Sequence, residues 1–291
     1  MADDQRSLSI IVPFYNEKDS LEKLLPEWER RLAAWPHPWE LLLVDDGSVD
    51  GIRLNPMAAT VRVLRHPVYL GNGAAVKTGI RAATHDCCVI LDADGQHSLD
   101  EALDLAGELD VYHLVVGARD FQRSGDWHRS FANRLYARFA SFMAQFEIAD
   151  LTSGIRAFRK KQVLEIIHLF PNGFSLPTTM TMGLIKLGYS VKFKPIHVKV
   201  REGSSKLNIW SDGTRFFLII IKIATLFSPL RIFFPISAGM FLLGLLNYFF
   251  VLLDAHRFSL WSLVLLTNSI TIFMMGLVAE EISSMKLKKE S

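Results

Sequence analysis

Short apolar runs recur through the first two hundred residues: Leu8–Val12, Leu41–Val44, Val61–Leu64, Cys87–Leu91 and Val111–Val116. Each is too short for a stable helix and nearly continuous in apolar character, as strands covered on both faces are. Helical spacing of apolar residues fills most gaps, over Leu21–Ala34 and Ala74–Ala83. Strands alternating with helices predict an α/β domain with a mainly parallel sheet. Ligands on such sheets bind beyond the carboxyl ends of the strands, so chemistry is expected just after each run.

The pattern changes from Phe216 onward. Ile232–Leu253 and Phe258–Val278 carry no charge, and each is close to the roughly 20 residues that span a bilayer as a helix. Pro235, Asn247 and Asn268 lower the hydropathy without forbidding a span. The four-residue connector Asp254–Arg257 predicts an antiparallel hairpin. Trp210–Phe227 is too apolar for a surface helix of a soluble domain, and Arg215 and Lys222 share one face. That combination predicts a helix lying in the membrane interface. Lys222 and Arg231 precede the hairpin, and Lys286, Lys288 and Lys289 follow it. The positive-inside rule then places both termini and the N-terminal domain in the cytoplasm of an integral membrane protein. No signal peptide is expected before Ser9. The expected organisation is a domain over 1–207, an interfacial segment over 208–229, two membrane helices within 230–281, and a basic tail over 282–291.

Composition adds little to this. The 32 Lys and Arg against 30 Asp and Glu leave a net charge of +2, which gives no reason to expect nucleic acid. Cys87 and Cys88 are adjacent in a predicted buried strand and read as reduced packing residues. A homo-oligomer is neither required nor excluded.

The strand ends carry the candidate chemistry. Asp92-Ala93-Asp94-Gly-Gln96-His97 leaves the fourth run. Carboxylates at i and i+2 beyond a strand can both face the crevice and hold a hard divalent cation, with sites left for substrate phosphates. The same residues also suit a plain turn. Pro13-Phe-Tyr15-Asn-Glu17 leaves the first run; Pro13 is expected to break the strand, and Tyr15 and Glu17 to face a base and ribose. Val44-Asp45-Asp46-Gly-Ser48 leaves the second and suits ribose hydroxyl and base N–H donors. Leu70-Gly-Asn-Gly-Ala enters a helix that carries Lys77, and its backbone N–H groups could cradle phosphate. As a dinucleotide fingerprint it is weak, because the third glycine is missing.

The order of these motifs resembles family 2 glycosyltransferases of the GT-A fold. Val116-Gly-Ala-Arg119-Asp, Arg129-Ser-x-x-Asn133, Asp150-Leu-Thr-Ser-Gly154-Ile-Arg156 and Arg201-Glu-Gly-Ser-Ser-Lys206 narrow the resemblance. They are similar to the polyprenyl-phosphate sugar transferases, the group of dolichyl-phosphate mannosyltransferase and undecaprenyl-phosphate glycosyltransferases. The resemblance covers residues 8 to 207, and the hairpin matches many members. It implies inverting transfer of one sugar from a nucleotide-diphosphate sugar to a polyprenyl phosphate, with Mg²⁺ or Mn²⁺ on Asp92, Asp94 and Gln96. The donor would meet Pro13, Tyr15, Glu17, Asp45, Asp46, Lys77, Asp92 and Ala93. Transfer would rest on Asp94, Arg119, Arg129, Arg201 and Lys206, since arginine forks suit phosphate.

There are departures from the family pattern. Asn72 stands where many relatives carry Lys, with Lys77 as a partial replacement. The segment Gly173–Met180 lacks the acidic residue of the mannosyltransferases, which argues against mannose. Asp150 is expected to pair with Arg156 or to cap the Thr152–Gly154 turn, with a catalytic base as the alternative. His97 could contact a donor phosphate or simply fill a turn. Competing classes are a processive polysaccharide synthase, whose Gln-x-x-Arg-Trp motif is missing, a non-catalytic membrane adaptor, and a nicotinamide-dependent reductase resting on Gly71–Gly73 alone.

Overall fold

The computed structural model describes residues 7–119, 138, 140–173, 175–196, 225–255 and 259–287. They form two compact units. One comprises 1–141 with 146–207, the other 142–145 with 208–291.

In the first unit the apolar runs become strands β1 (Leu8–Phe14), β2 (Trp39–Asp45), β3 (Val61–Arg65), β4 (Cys87–Ile90) and β5 (Leu114–Arg119). Two further strands, β6 (Arg156–Arg159) and β7 (Val191–Ile196), complete a seven-stranded sheet of order β3-β2-β1-β4-β6-β5-β7. Only β6 runs antiparallel to its neighbours. It has arginine at both ends and β7 alternates valine, lysine and phenylalanine, so neither reads as an apolar run. Val111 lies before β5, in the turn that follows a 3₁₀ segment at Gly107–Asp110.

Alternate residues of β1 divide the core. Leu8, Ile10, Val12 and Phe14 pack with Leu21, Leu25, Trp28 and Leu32 of α1 (Lys18–Ala33) and with Leu99, Ala102 and Leu105 of α3 (Leu99–Ala106). Ile11 faces the other way, toward Ala75, Val76 and Ile80 of α2 (Asn72–Ala82). On that face lie also Val163 and Ile166 of α4 (Lys160–Ile166) and Met180 and Leu184 of α5 (Leu176–Lys186). Burial on both faces is what the unbroken apolar runs signal. Helix α3 starts on a reciprocal capping box between Ser98 and Glu101.

Pro13 does not break β1. The strand continues through Pro13 opposite Val44 and ends at Phe14. Phe14 bonds toward β2 through its carbonyl and Ile11 toward Leu91, so the missing N–H of Pro13 falls on the β4 side. There the ladder has already ended at Ile11 and Ile90, and no hydrogen bond is lost.

The second unit contains α6 (Leu230–Ala255) and α7 (Leu260–Leu287), both long and apolar enough to cross a membrane. Helix α6 runs through Pro235. Ser262, Ser269 and Ser283 are buried, and with Gly276 they recur every seven residues along α7. A Cβ on Gly276 would lie 2.6 Å from Phe233 Cβ, so small residues let the helices approach closely. Asn247 Oδ1 accepts from Ser259 and Ser262 at 3.0 and 3.1 Å, which satisfies its carbonyl across the hairpin. The outer faces expose Phe234, Leu242, Leu246, Phe250, Trp261 and Met285. A buried hairpin of a soluble domain would cover them, whereas lipid is their matching solvent. Most of the expected interfacial segment lies outside the described residues; of its last five, 225–227 are helical and 228–229 are not.

Candidate active site

The turns after β1 and β2 are laced together. The Asn16 N–H donates to Ser48 Oγ at 2.9 Å and the Val49 N–H to Asn16 Oδ1 at 2.9 Å. The Lys18 N–H donates to Asp50 Oδ2 at 3.0 Å. Glu17, the N-cap residue of α1, accepts from Ser20. Asp45 is buried; it accepts the Ser48 N–H at 2.7 Å and lies 3.4 Å from Arg65 Nε. Above this lacework Tyr15 stays exposed, its ring centroid 4.6 Å from that of Tyr69 in a tilted pair. Tyr69 went unread in the sequence, although it follows the end of β3 as the other candidates follow their strands.

Asp46 faces inward, with 1% of its surface exposed. Oδ1 takes His66 Nδ1 at 2.8 Å and the Leu70 N–H at 3.1 Å, and Oδ2 takes the Gly71 N–H at 2.8 Å. His66 Nε2 continues to Thr78 Oγ1 at 2.9 Å. One carboxylate therefore ties β2, the end of β3 and α2 together.

The glycine turn is likewise spoken for. The Gly73 N–H donates to Asn172 O at 2.7 Å, and those of Ala74 and Ala75 to Gly71 O. A Cβ at Gly71, whose φ is +103°, would lie 2.5 Å from Asn172 O, and one at Gly73 would overlap Pro171 O. These glycines admit the 171–172 backbone, and the N–H groups that would cradle a phosphate are occupied. Lys77 Nζ donates to Asn172 Oδ1 at 2.5 Å and to Phe170 O at 3.1 Å. Burial, then the charge of Arg81, lowers its pKa.

Asp92, Ala93 and Asp94 follow β4 after the buried Leu91. Ala93 is buried, while both aspartates are partly open. Asp94 Oδ1 accepts the Gln96 N–H at 3.0 Å. Among the described residues no hydrogen bond reaches the Asp92 carboxylate or Asp94 Oδ2. Burial, then the neighbouring Asp94 charge, pushes the Asp92 carboxyl above the usual range; His97, Arg156 and Arg119 oppose this. A pair of carboxylates with mutually unfavourable charge, of whose four oxygens only Asp94 Oδ1 is engaged among the described residues, suits a divalent cation. The described residues hold no cluster of three or more His, Cys, Asp or Glu that could bind a metal ion. Asp92, Asp94 and the Gln96 amide therefore suit a cation that takes its remaining ligands from phosphate and water. His97 is buried, and among the described residues its Nδ1 has no partner.

Arg119, at the end of β5, holds Asp150 with a bidentate fork, Nε to Oδ2 at 2.7 Å and Nη2 to Oδ1 at 3.0 Å, and also donates to Thr152. Asp150 caps the turn through the Thr152 N–H at 2.9 Å. The expected cap is present, but the ion-pair partner is Arg119 and not Arg156. Arg156 is wholly buried and donates to Pro177 O, Thr181 Oγ1 and Ser153 O. Arg129, Asn133, Arg201 and Lys206 lie outside the described residues.

Comparison with known proteins places the two parts of the chain. Residues 228–285 match the GtrB C-terminal hairpin. The undecaprenyl-phosphate 4-deoxy-4-formamido-L-arabinose transferase of Pectobacterium carotovorum is 27% identical over 256 residues, 84% of this chain and 76% of the relative. The protein of that name from Enterobacter sp. is 29% identical over 210 residues, 68% of this chain and 62% of its own. Glucosyl-3-phosphoglycerate synthase from Mycobacterium tuberculosis, solved with Mn²⁺, uridine diphosphate and glucosyl-3-phosphoglycerate, superposes with a TM-score of 0.59 at 18% identity. That match covers 75% of this chain and 79% of the synthase, and at such identity the likeness is one of fold, in keeping with the expected GT-A architecture. Residues 9–166, more than half of the sequence, match glycosyl transferase family 2, and the chain belongs to that family.

Proposed function

We propose that this glycosyltransferase moves one sugar from a nucleotide-diphosphate sugar to a polyprenyl phosphate at the cytoplasmic face of a membrane. The observation that carries the reading is the open Asp92–Asp94 pair at the end of β4, in a family 2 chain that also carries the apolar hairpin. The named acceptor of the relatives, undecaprenyl phosphate, is a lipid that such a hairpin would meet.

Asp92, Asp94 and Gln96 would hold Mg²⁺ or Mn²⁺, which neutralises charge developing on a departing diphosphate. Tyr15 and Tyr69 offer a ring face to the nucleobase beside Asp45 and Glu17. Arg119 points the Asp150–Thr152 turn toward the same crevice, and Arg129, Arg201 and Lys206 supply further cations for the acceptor phosphate. A phosphate monoester has a second pKa of about 6, so it is largely a dianion at neutral pH and needs placement, not deprotonation. Asp150, with both oxygens engaged, then has a positioning role. Direct attack inverts the anomeric centre.

The test incubates purified full-length protein with a panel of nucleotide sugars and a short-chain polyprenyl phosphate, followed by mass spectrometry. One donor should give a lipid-linked monosaccharide, EDTA should stop the reaction, and Mn²⁺ or Mg²⁺ should restore it. Full turnover in chelator would remove the cation, and a product that grows by repeated sugar additions would replace single transfer with polymer synthesis.

A further inference from the structure

Among the described residues, the largest fully buried side chain is a cation. Arg156 opens β6 and lies between Ile90 of β4 and Val116 of β5. This is two residues short of Asp92 and three short of Arg119. Its exposure is 0%. Among the described residues no carboxylate lies within ion-pair distance, and Nε has no partner. Burial lowers its pKa to about 10, against the favourable charges of Asp150 and Asp92, so it remains charged at neutral pH. Replacing buried charges with apolar residues of similar volume is often neutral or stabilising. Stability alone is therefore a weak reason to place an arginine here.

What the fork holds points to its use. Nη2 donates to Ser153 O, and Nη1 donates to Pro177 O at 2.7 Å and to Thr181 Oγ1 at 3.4 Å. The Ser153 carbonyl belongs to the peptide that leads into Gly154. That glycine rests against the Asp92 carboxylate so closely that a Cβ on it would overlap Oδ2. Arg156 thus reaches Asp92 through the backbone it tethers: fork, Ser153 carbonyl, Gly154, carboxylate. The same turn begins at Asp150 and Thr152, which Arg119 holds from the other end.

We propose that Arg156 is a positioning residue, tethering the Ser153–Gly154 turn to the start of α5 so that the turn fixes the direction in which Asp92 presents its oxygens to a divalent cation. The inference rests on the reading that Asp92 and Asp94 hold that cation. Partners that orient a metal ligand typically contribute about 10–100-fold to metal affinity.

The test uses full-length protein in detergent, with Mn²⁺ alone as the probe. Binding is read by the loss of the free-ion electron paramagnetic resonance signal, which needs no turnover. Arg156→Lys keeps the charge and loses the two-armed fork. Gly154→Ala keeps the fork and pushes a methyl group onto Asp92. Both should raise the Mn²⁺ dissociation constant about tenfold or more. In transfer assays both should shift the Mn²⁺ half-saturation point by a similar factor, with excess Mn²⁺ recovering most of kcat. A merely structural clamp would lower the melting temperature of Arg156→Lys and leave Mn²⁺ affinity alone; that result overturns the proposal. If Arg156→Lys does not fold, Gly154→Ala decides, and an unchanged affinity there overturns it equally. Asp94→Asn separates the two levels. Wild-type Mn²⁺ affinity in that variant removes the metal site itself and the inference with it, whereas its loss leaves the two test variants to judge Arg156.

Discussion

Asp46→Asn distinguishes a carboxylate that meets the nucleotide from one that holds the fold. The substitution keeps the shape but turns one acceptor oxygen into an NH₂ group. Asp46 accepts from three donors, His66 Nδ1, the Leu70 N–H and the Gly71 N–H. Whichever way the amide turns, at least one backbone N–H faces another donor. At 1% exposure, water cannot repair the loss. A hydrogen bond to a charged group contributes about 1.5–3 kcal/mol, and a donor left buried and unsatisfied costs a similar amount. For a domain of this size each kcal/mol moves the melting temperature by about 2–4 °C, so the expected drop is about 3–12 °C. Thermal unfolding of the full chain in detergent, followed by tryptophan fluorescence, measures it. Nucleotide affinity by calorimetry should fall only as far as the displaced Leu70–Gly71 segment disturbs Tyr69. An unchanged melting temperature together with lost nucleotide binding would refute the reasoning and return Asp46 to the donor site.

Three other outcomes follow from the same geometry. Tyr69→Ala should weaken binding of the donor nucleotide by about tenfold, since stacking on an aromatic ring is worth about 1–3 kcal/mol per base, and Tyr69→Phe should not; equal effects would assign the loss to the hydroxyl group. The Asp92 carboxyl is raised in the folded state by burial and then by Asp94, so its contribution to stability is present below the ordinary carboxylate range and is lost as pH climbs through the raised value. Metal-free Asp92→Asn should therefore melt above the wild type at neutral pH and converge with it in acid, and saturating Mn²⁺ should stabilise the wild type more at pH 7 than at pH 5. Truncation after Leu207 should keep nucleotide binding and lose far more transfer to long-chain polyprenyl phosphate in bilayers than to a short soluble analogue; equal losses would mean that the hairpin supports the active site directly.

The local pattern of residues was enough to read five of the seven strands, helices α1 and α2, the two apolar spans and the carboxylate pair after β4. Each of those signals lies within a few consecutive positions. Burial on two faces makes a strand uniformly apolar, and lipid demands an uncharged run of set length. The small residues from Ser262 to Ser283 went unread, because their seven-residue spacing gains meaning only from the helix packed against them.

Tertiary structure alone decided how the polar residues are spent. Sequence offered Asp150 the nearby Arg156, and the fold pairs it instead with Arg119, 31 residues away in the chain, because β5 ends beside the turn that Asp150 opens. It offered Lys77 a diphosphate, and the fold anchors it to Asn172, 95 residues on. The glycine turn looked like a phosphate cradle, yet the Gly73 N–H meets the backbone of that same distant segment and the Gly71 N–H meets Asp46. β6 was unreadable as a strand because an arginine sits at each end, and Arg156 can be buried there only where distant carbonyls receive its fork. A charged side chain has no fixed address in local sequence. Its partner is set by which chain segments the sheet order brings together, and burial then obliges each donor and acceptor to be satisfied by whatever lies there.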